Sequence, residues 1–430
     1  MSSRDLRILA INQFFYPDSF GGVERVAYET TRRLVRRGHA VTLVGQRTKP
    51  GTPDEEVFEG VRIVRYGDAR SRRRFGGRTI DALRSSRPVL SDVLAKEEFD
   101  LVLPHHYFPY YSYLGLARAN ALPEVMTFHA SFWQELRLEG AERKIGKPLE
   151  SLLFGGLARR TETACLRSAD RIVVLSEFSR EQAVSYYPFT KGKIVGIPGG
   201  VDLERFRPAE DRSAVRNRLD LPADRRVVFT ARRLVPRMGL ENLLKAFVGV
   251  RESHPDALLV VAGRGRLEAA LRTEASELGL AENVRFVGFV DDERLVEHYQ
   301  AADLFVLPSL AFEGFGMVTL EALSCGTPAV GTPIGATPEI LRPLASQLVL
   351  DGTDPPAIRR GLSAVLEWIS DPAAAERLRG RAREHAESSY GWDRAIDALE
   401  GIFESVLEGT DAPRGSGGLR GARTSDRLVS

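Results

Sequence analysis

Short apolar runs alternate with longer stretches of helical periodicity along most of this chain. The run Arg7-Ile-Leu-Ala-Ile-Asn12 is followed by a loop ending in Gly21-Gly22, and a helix is predicted from Val23 to Arg37. Gly38 ends that helix, and the next apolar run is Ala40–Val44. A strand, a glycine loop, a helix and a second strand form a βαβ unit, which implies a parallel sheet.

The alternation continues to Ile197 and restarts after Pro208. The first series contains the further predicted strands Val61–Arg65, Asp100–Leu103, Val125–Phe128, Arg171–Leu175 and Lys193–Ile197. The second contains Arg226–Ala231, Ala257–Ala262, Val284–Val287, Asp303–Leu307 and Pro328–Gly331. Strands that are apolar throughout are typical of sheets covered on both faces. The predicted fold class is therefore α/β, with two doubly wound domains.

The length of 430 residues also favours two domains over one. We predict an N-terminal domain over residues 1–200, a C-terminal domain over 201–390, and a helix over 391–408 that packs back on the first domain. Residues 409–430 are rich in Gly, Ser and Arg without apolar periodicity, which predicts a disordered tail.

The segment from Ala311 to Gly331 carries the first candidate chemistry. Glu313 lies in a loop with two glycines, and Glu321 lies on the predicted helix Met317–Ser324. Bare amides at a helix N-terminus favour anions, and two fixed carboxylates suit the hydroxyls of a sugar or ribose. The alternative is a strand-to-helix turn whose glutamates cap the helix or face solvent.

Charge and cysteine content narrow the class of protein. The 60 Lys and Arg residues nearly balance the 58 Asp and Glu residues, so nucleic acid is not an expected partner. Cys165 and Cys325 lack metal-ligand spacing, and a reducing cytoplasm fits them. Met1-Ser-Ser-Arg leads directly into a strand, leaving no room for a signal peptide, and no run spans a bilayer. We expect a cytoplasmic protein that at most lies on the inner face of the membrane.

Several stretches together resemble the GT4 family of retaining glycosyltransferases, also described as glycosyl transferases group 1. The resemblance runs from about Arg7 to Glu408 and rests on Pro17–Val26, Thr127–His129, Val174–Ser179, Pro198–Phe206, Ala231–Gly239, Gly263–Gly265, Val287–Val290 and Glu313–Glu321. It implies the GT-B fold, in which two Rossmann-like domains face each other across a cleft. It further implies transfer of a hexosyl group from a nucleotide-sugar, bound by the second domain, to an acceptor hydroxyl bound by the first.

The resemblance also assigns roles to residues. Glu321 is expected to accept hydrogen bonds from the ribose hydroxyls, and Glu313 to lie beside the transferred sugar. His129 is expected near that sugar, without acting as a nucleophile, because the leaving diphosphate helps to deprotonate the acceptor. The catalytic set implied is His129, Glu313 and Arg233. The donor-binding set implied is Gly22, Arg233, Arg237, Gly263, Val287, Glu313, Gly314, Phe315, Gly316, Met317 and Glu321.

Arginine and glycine positions carry the phosphate-binding expectation. Arg233 matches the family arginine that clamps the diphosphate, and strand alternation puts either it or Arg232 in the cleft; we favour Arg233. Met238 stands where the family commonly has lysine, and we expect Arg237 to supply the second cation. Gly22 is expected to bring backbone amides close to the phosphates.

One further departure from the family pattern and one acidic pair bear on the interdomain loop and on metal binding. Gly199 stands where the family commonly has asparagine, which predicts a changed interdomain loop. Asp291 and Asp292 precede a helix, so N-cap and first-turn positions are favoured over metal ligation. The resemblance implies no metal and no further cofactor.

The acceptor side is less defined. The basic run Arg70–Arg78 suits anionic lipid headgroups or a lipid-diphosphate acceptor, giving peripheral membrane contact, and a solvated arginine loop is the alternative. The aromatic stretch His105–Tyr113 is predicted as a loop whose rings either stack on sugars or pack in the core. Rival functions are a nucleotide-sugar-binding protein without transfer activity, which Met238 favours, and a GT-B epimerase. A dehydrogenase is disfavoured because no Gly-x-Gly-x-x-Gly string follows the first strand.

Overall fold

A computed structural model of the protein describes residues 5–19, 21–69, 77–116, 122–134 and 148–410. The arginines of the basic run, Arg70 to Arg74, lie outside the described residues, as does the tail from residue 411 onward.

The first sheet begins with five strands in the order β3-β4-β2-β1-β5. They are β1 (Arg7–Ile11), β2 (Ala40–Gln46), β3 (Glu55–Phe58), β4 (Val61–Tyr66) and β5 (Leu101–Pro104). All pairs are parallel except β3 with β4, which pair antiparallel, and β3 is a short strand at the edge of the sheet. Three further parallel strands, β6 (Val125–Phe128), β7 (Arg171–Val174) and β8 (Ile194–Gly196), join β5 through a bridge between Val102 and Glu124.

Helices of this half lie on both faces of the sheet. They are α1 (Gly22–Arg36), α2 (Gly77–Lys96), α3 (Tyr107–Leu114), α4 (Pro148–Ser168) and α5 (Glu177–Tyr186). Strand β1 shows why both faces must be covered, since Ile8 and Ala10 enter one hydrophobic core while Leu9 and Ile11 enter the other. All four are fully buried.

The stretch His105–Tyr113 was predicted as a loop, and that prediction is wrong. Residues Tyr107–Leu114 form α3, with Tyr107, Phe108, Tyr110 and Tyr113 buried in the core. Tyr111 alone among these rings is an exposed large side chain. Core packing therefore explains most of the aromatic residues here.

The second sheet is parallel, with strand order β11-β10-β9-β12-β13. Its strands are β9 (Arg226–Ala231), β10 (Ala257–Ala262), β11 (Val284–Gly288), β12 (Leu304–Leu307) and β13 (Ala329–Gly331). Its helices are α6 (Arg212–Arg218), α7 (Leu240–Ser253), α8 (Glu268–Glu277), α9 (Asp292–Ala301), α10 (Met317–Ser324), α11 (Thr337–Leu341) and α12 (Pro355–Trp368).

Two long helices complete the described chain, α13 (Pro372–Tyr390) and α14 (Trp392–Thr410). Helix α14 lies against α1 of the first half. Arg37 Nη1 lies 2.6 Å from Asp397 Oδ1, and His39 Nε2 lies 3.0 Å from Glu400 Oε1. The end of the chain that the structure describes is therefore attached to its beginning. Within the described residues, no helix is both long and apolar enough to cross a bilayer.

Candidate functional site

The candidate site lies where the carboxyl ends of the second sheet face the first half of the chain. In parallel α/β sheets this edge is where ligands bind. Residues Ser309–Gly316, here called the Glu313 loop, connect β12 to α10. Phe312 has a φ of 54° and Gly316 a φ of 83°. A bulky residue in the left-handed region next to a candidate catalytic carboxylate is typical of functional loops.

Glu313 is held by two donors. Its Oε2 accepts hydrogen bonds from Arg232 Nη2 at 2.5 Å and from Ser309 Oγ at 2.7 Å. The side chains of Arg232 and Glu313 are only 6% and 11% exposed, so this is a buried ion pair. Such a pair fixes the carboxylate in position, because losing either partner would strand a buried charge.

The structure places Arg232, not Arg233, against Glu313. Strand β9 ends at Ala231, so the regular strand alternation assumed for the two arginines no longer applies beyond it. Arg233 is exposed, and its contact with a diphosphate stays a prediction. Arg237 is half-buried and donates from Nη1 to the carbonyl of Phe312 at 3.3 Å.

Met238 is buried beside the same guanidinium. Its Sδ lies 2.7 Å from Arg232 Nη2. The guanidinium of Arg232, paired with Glu313, therefore lies next to the position where the family commonly has lysine, and Arg237 as the second cation stays a prediction.

Glu321 is buried on α10 and shares a hydrogen bond with Tyr299 of α9. The Tyr299 hydroxyl donates to Oε2 at 2.8 Å. Burial raises the pKa of Glu321, while the positive charge of Arg25 and the Tyr299 hydroxyl lower it. One carboxylate oxygen is thus held by the protein, and the binding of a ribose hydroxyl by Glu321 stays a prediction.

The Glu313 loop touches the first half of the chain at Gly314. The Gly314 carbonyl accepts hydrogen bonds from Ser176 Oγ at 2.7 Å and Ser179 Oγ at 3.3 Å. A Cβ on Gly314 would lie 3.2 Å from the carbonyl oxygen of His129. His129 and the loop are therefore neighbours, as the predicted site requires.

The ring of Phe315 lies over the loop that joins the two halves. A Cβ on Gly199 would lie 2.5 Å from Phe315 Cε1, so a larger residue at position 199 would collide with that ring. Phe315 is buried and its ring centroid is 6.1 Å from that of Tyr390. Glycine at position 199 therefore leaves room for this ring, and the predicted change in the interdomain loop stays a prediction.

His129 stacks on a second histidine, His105. His105 Nδ1 and His129 Nε2 are 3.3 Å apart, and the ring planes meet at 26°. Burial lowers the pKa of His105 to about 3, and it lowers the pKa of His129 well below its usual value, helped by the positive charge that His105 would carry. Both rings are therefore neutral near pH 7.

The buried surroundings also select the tautomers. His105 Nε2 is buried and has no hydrogen-bond partner among the described residues. An orphaned buried N–H is rarer than an orphaned acceptor, so we assign the proton of His105 to Nδ1, which donates to His129 Nε2. His129 then carries its proton on Nδ1.

Helix α1 closes the other side of the cleft. Gly22 begins α1, and a Cβ placed there would meet nothing within 4 Å, so the space beside it is open. Arg25 Nη2 donates to Asp292 Oδ2 at 2.6 Å, and Arg205 Nη1 donates to the same oxygen at 3.0 Å. Although burial acts to raise the pKa of Asp292, these two arginines bring it below its usual value.

The acidic pair therefore has structural partners. Asp291 is the N-cap of α9, accepting from the backbone N–H of Arg294 at 2.9 Å, and Asp292 lies in the first turn. No group of three His, Cys, Asp or Glu side chains able to hold a metal ion occurs in the part of the chain that the structure describes.

Gly263 and Val287 lie at the carboxyl ends of β10 and β11. Gly263 has a φ of 129°, and a Cβ there would lie 1.8 Å from the carbonyl oxygen of Arg232. Its N–H donates to the carbonyl of Gly288 at 2.7 Å. Glycine at 263 is therefore required by close backbone packing next to Arg232, and Val287 lies half-buried on the adjacent strand.

Sequence reasoning missed three contributors to the site: Arg25, Ser176 and Tyr299. It considered Arg232 but favoured Arg233. Only Ser176 carried a local signal, because Ser-Glu-Phe-Ser is an N-cap pattern, and its hydroxyl does accept from the N–H of Ser179 at 3.0 Å. Arg25 and Tyr299 reach the site through tertiary packing.

A fold of two facing Rossmann-like halves, with a carboxylate loop against a histidine, defines a GT-B glycosyltransferase. The family profile Glycosyltransferase Family 4 matches residues 20–205, and Glycosyl transferases group 1 matches residues 211–385. The chain is 30% identical over 406 residues to D-inositol 3-phosphate glycosyltransferase 1 of Catenulispora acidiphila, covering 90% of this chain and 92% of that one. The chain belongs to the GT4 family of glycosyl transferases group 1 and is a glycosyltransferase.

Two further comparisons extend this result. Over 217 residues the chain is 35% identical to a GDP-mannose-dependent monoacylated alpha-(1-6)-phosphatidylinositol monomannoside mannosyltransferase of Corynebacterium glutamicum, covering 49% of this chain and 55% of that one. The sucrose-phosphate synthase structure from Thermosynechococcus elongatus superposes with a TM-score of 0.77 at 22% identity, covering 94% of this chain and 100% of that one. The GT-B fold is therefore confirmed.

Proposed function

We propose that this chain moves a hexosyl group from a nucleoside diphosphate sugar to a hydroxyl of a phosphorylated inositol, with retention of configuration. The observation that carries the donor half is the meeting of Glu313, Gly314 and His129 from the two halves of one cleft. The acceptor class is supported by the relatives, since one acts on inositol 3-phosphate and the other on a phosphatidylinositol mannoside, by their names. Phosphorylated inositol is the part that those two acceptors share.

Each residue has a distinct role in this proposal. The open oxygen of Glu321 accepts from the ribose, and Glu313 lies beside the transferred sugar together with the amides of Phe315, Gly316 and Met317. Arg233 reaches the diphosphate from its exposed position and stabilises the charge that develops as it leaves. His129 donates from Nδ1 to a sugar oxygen. No metal is required, because guanidinium groups neutralise the departing diphosphate.

A donor panel tests the first half of the proposal. UDP-, GDP- and ADP-hexoses are incubated with the native protein, Glu321→Ala, Arg233→Ala and the control Glu277→Ala, whose side chain is exposed at the end of α8. We expect turnover with one donor class, at least tenfold loss in the two site variants, and no loss in the control or with EDTA. Full activity in both site variants rejects the site assignment, and the anomeric coupling in the product's NMR spectrum tests retention.

An acceptor panel tests the second half. Inositol phosphate, free inositol and phosphatidylinositol in vesicles are compared with the cognate donor. We expect products only from the phosphorylated acceptors, and transfer to free inositol at an equal rate contradicts the proposed class. If the lipid is the acceptor, the protein sediments with anionic vesicles and charge reversal at Arg72, Arg73 and Arg74 weakens sedimentation. If native protein stays in the supernatant, the free inositol phosphate is the acceptor.

A further inference from the structure

A small cavity lies at the opposite edge of the second sheet from the candidate donor site. Its volume is about 60 Å³. The lining includes Arg226, the first residue of β9, and the residues directly before β12 and β13, Asp303 and Pro328. Since the donor site is formed at the carboxyl ends of these strands, the cavity at their amino ends is a separate site. Arg212, Ile369, Ala375 and Arg379 complete its lining.

The lining is rich in positive charge. It contains three guanidinium groups, those of Arg212, Arg226 and Arg379, and a single carboxylate, that of Asp303. Asp303 is already engaged, because Arg212 Nη2 lies 2.9 Å from Oδ1 and Arg216 Nη2 lies 2.6 Å from Oδ2. The backbone N–H of Val227 also donates to Oδ2, at 2.7 Å.

Contacts within the second half account for two of the lining arginines, Arg212 and Arg226, and for the neighbouring Arg216. Arg212 and Arg216 donate to carbonyls at the C-terminus of α9, where the helix dipole favours cations. Arg212 Nε donates to the Gln300 carbonyl at 3.1 Å. Arg216 Nε donates to the Ala301 carbonyl at 3.0 Å. Arg226 is held by both oxygens of Asp256, at 2.6 and 2.7 Å. These contacts are sufficient reason for those three side chains.

Arg379 is different. Its contact in the described part of the chain is one long hydrogen bond, from Nη1 to the carbonyl of Ala302 at 3.3 Å, and no described carboxylate lies within ion-pair distance. Burial lowers the pKa of Arg379 to about 10, and the neighbouring charge of Arg212 acts in the same direction, against weaker effects of Asp303 and Glu376. A guanidinium in these surroundings would gain from a negative partner.

We propose that this cavity binds a small oxyanion, phosphate or sulfate in class, with Arg379 as its principal ligand and Arg212 as the second cation. The space is several times what one water needs, so a tetrahedral oxyanion fits inside it. A nucleotide does not, which separates this site from the donor cleft. The same chemistry could come from a free ion or from the phosphate of an ester, and the experiment separates the two.

The test is a titration of the full chain with inorganic phosphate at constant ionic strength, followed by calorimetry and thermal unfolding. Saturating nucleoside diphosphate is present throughout so that the donor cleft is occupied. We compare native protein with Arg379→Met and with Arg377→Met, a control on the same helix whose side chain is 69% exposed. We expect saturable binding in the native protein and the control, and at least tenfold weaker binding in Arg379→Met. Equal affinity in all three, or no binding by the native protein, overturns the proposal.

Two further arms keep the result decisive. If Arg379→Met does not fold, Arg379→Lys retains the charge without the planar fork and is expected to bind phosphate more weakly than native protein. Equal phosphate affinity in Arg379→Lys and native protein counts against Arg379 as the ligand. Glycerol 3-phosphate is titrated in parallel: equal affinity shows that an ester is accepted, and weaker affinity shows that the free ion is the ligand.

Discussion

Arg232 and Arg233 are neighbours in the chain with opposite surroundings, and they provide the sharpest test at the scale of single residues. Replacing Arg232 by Met leaves Glu313 buried without its ion-pair partner, which we expect to cost about 3–5 kcal/mol of unfolding free energy. Replacing the exposed Arg233 by Met is expected to change stability by less than about 0.5 kcal/mol. Urea unfolding of both variants measures this difference.

Nucleotide affinity should distinguish the same two arginines in the opposite way, because here the substitution of Arg233 is the one expected to have an effect. If Arg233 binds the diphosphate, Arg233→Met weakens nucleoside diphosphate binding while leaving the fold intact, and calorimetry will show the loss. Similar stability losses in the two variants would mean that the ion pair between Arg232 and Glu313 does not hold the loop.

Tyr299 gives a prediction of pH dependence. In the proposed function Glu321 accepts from the ribose hydroxyls, which it does most strongly when ionised, and burial already raises its pKa. Donor affinity should therefore fall as the pH drops through this raised pKa. Because the Tyr299 hydroxyl lowers the pKa of Glu321, Tyr299→Phe should raise it further and move the loss of affinity to higher pH.

The contribution of Glu321 to folding stability has the opposite dependence on pH. A carboxyl whose pKa is higher in the folded state favours folding while it is protonated, and that contribution is lost as the pH rises through the folded pKa.

Calorimetric titration with nucleoside diphosphate over a pH series measures the binding effect. An acid limb at the same pH in Tyr299→Phe and native protein would show that Glu321 does not control binding.

At the scale of elements, Gly239 positions the turn that carries Arg237 and Met238. It has a φ of 74°, and a Cβ there would lie 1.8 Å from the carbonyl oxygen of Pro308. Gly239→Ala should therefore destabilise the protein by at least about 2 kcal/mol and weaken nucleotide binding. Unfolding and binding measurements on one preparation test both effects.

Gly380 is the matched control for that substitution. It lies exposed in the middle of α13, with nothing within 4 Å of its added Cβ. Gly380→Ala should stabilise the protein by about 0.5–1 kcal/mol, because glycine is a poor helix former. A loss of stability in Gly380→Ala, or none in Gly239→Ala, would contradict this account of the two backbones.

Elements with strong periodicity could be predicted, and elements whose sequence is unusual could not. The apolar strands of both sheets were predicted to within a few residues, as with Val284–Val287 against the observed Val284–Gly288. Strand β3 was missed because Glu-Glu-Val-Phe is too short and too charged to show alternation. The sequence predicts a loop in place of helix α3 because its aromatic residues and Pro109 hide the helical period.

The residues of the candidate site likewise fall into those that local sequence could predict and those that it could not. Glu313, Glu321 and His129 follow strands in recognisable segments, so sequence placed them at the correct sheet edge. The partners that fix them, such as Ser176 for the Gly314 carbonyl and Tyr299 for Glu321, lie 138 and 22 residues away in the chain. Such pairs depend on tertiary packing, between the halves for Ser176 and within the second half for Tyr299, which local sequence does not encode.

At the scale of the whole molecule, the two halves are held together on both sides of the cleft. On one side the hydroxyl of Ser176 reaches Gly314, and the backbone N–H groups of Glu177 and Phe178 donate to Glu339 at 2.8 and 2.7 Å. On the other side Arg25 and Arg205 converge on Asp292. The closed arrangement of the two halves therefore depends in part on these polar contacts, while one hydrophobic core also contains buried residues of both halves.

Asp292→Asn tests this dependence. The side chains of Arg25 and Asp292 are 18% and 28% exposed, so losing the charge should cost the closed arrangement only about 1 kcal/mol. That corresponds to donor binding weakened by up to roughly fivefold, with a loss of at most about 1 kcal/mol in unfolding free energy. Asp291→Asn is the control, because asparagine caps a helix as well as aspartate does. Donor affinity and the radius of gyration from small-angle scattering should change in Asp292→Asn and stay native in Asp291→Asn. If the two variants behave alike, contacts on the Ser176 side are sufficient to keep the cleft closed, and the pairs at Asp292 are incidental to it.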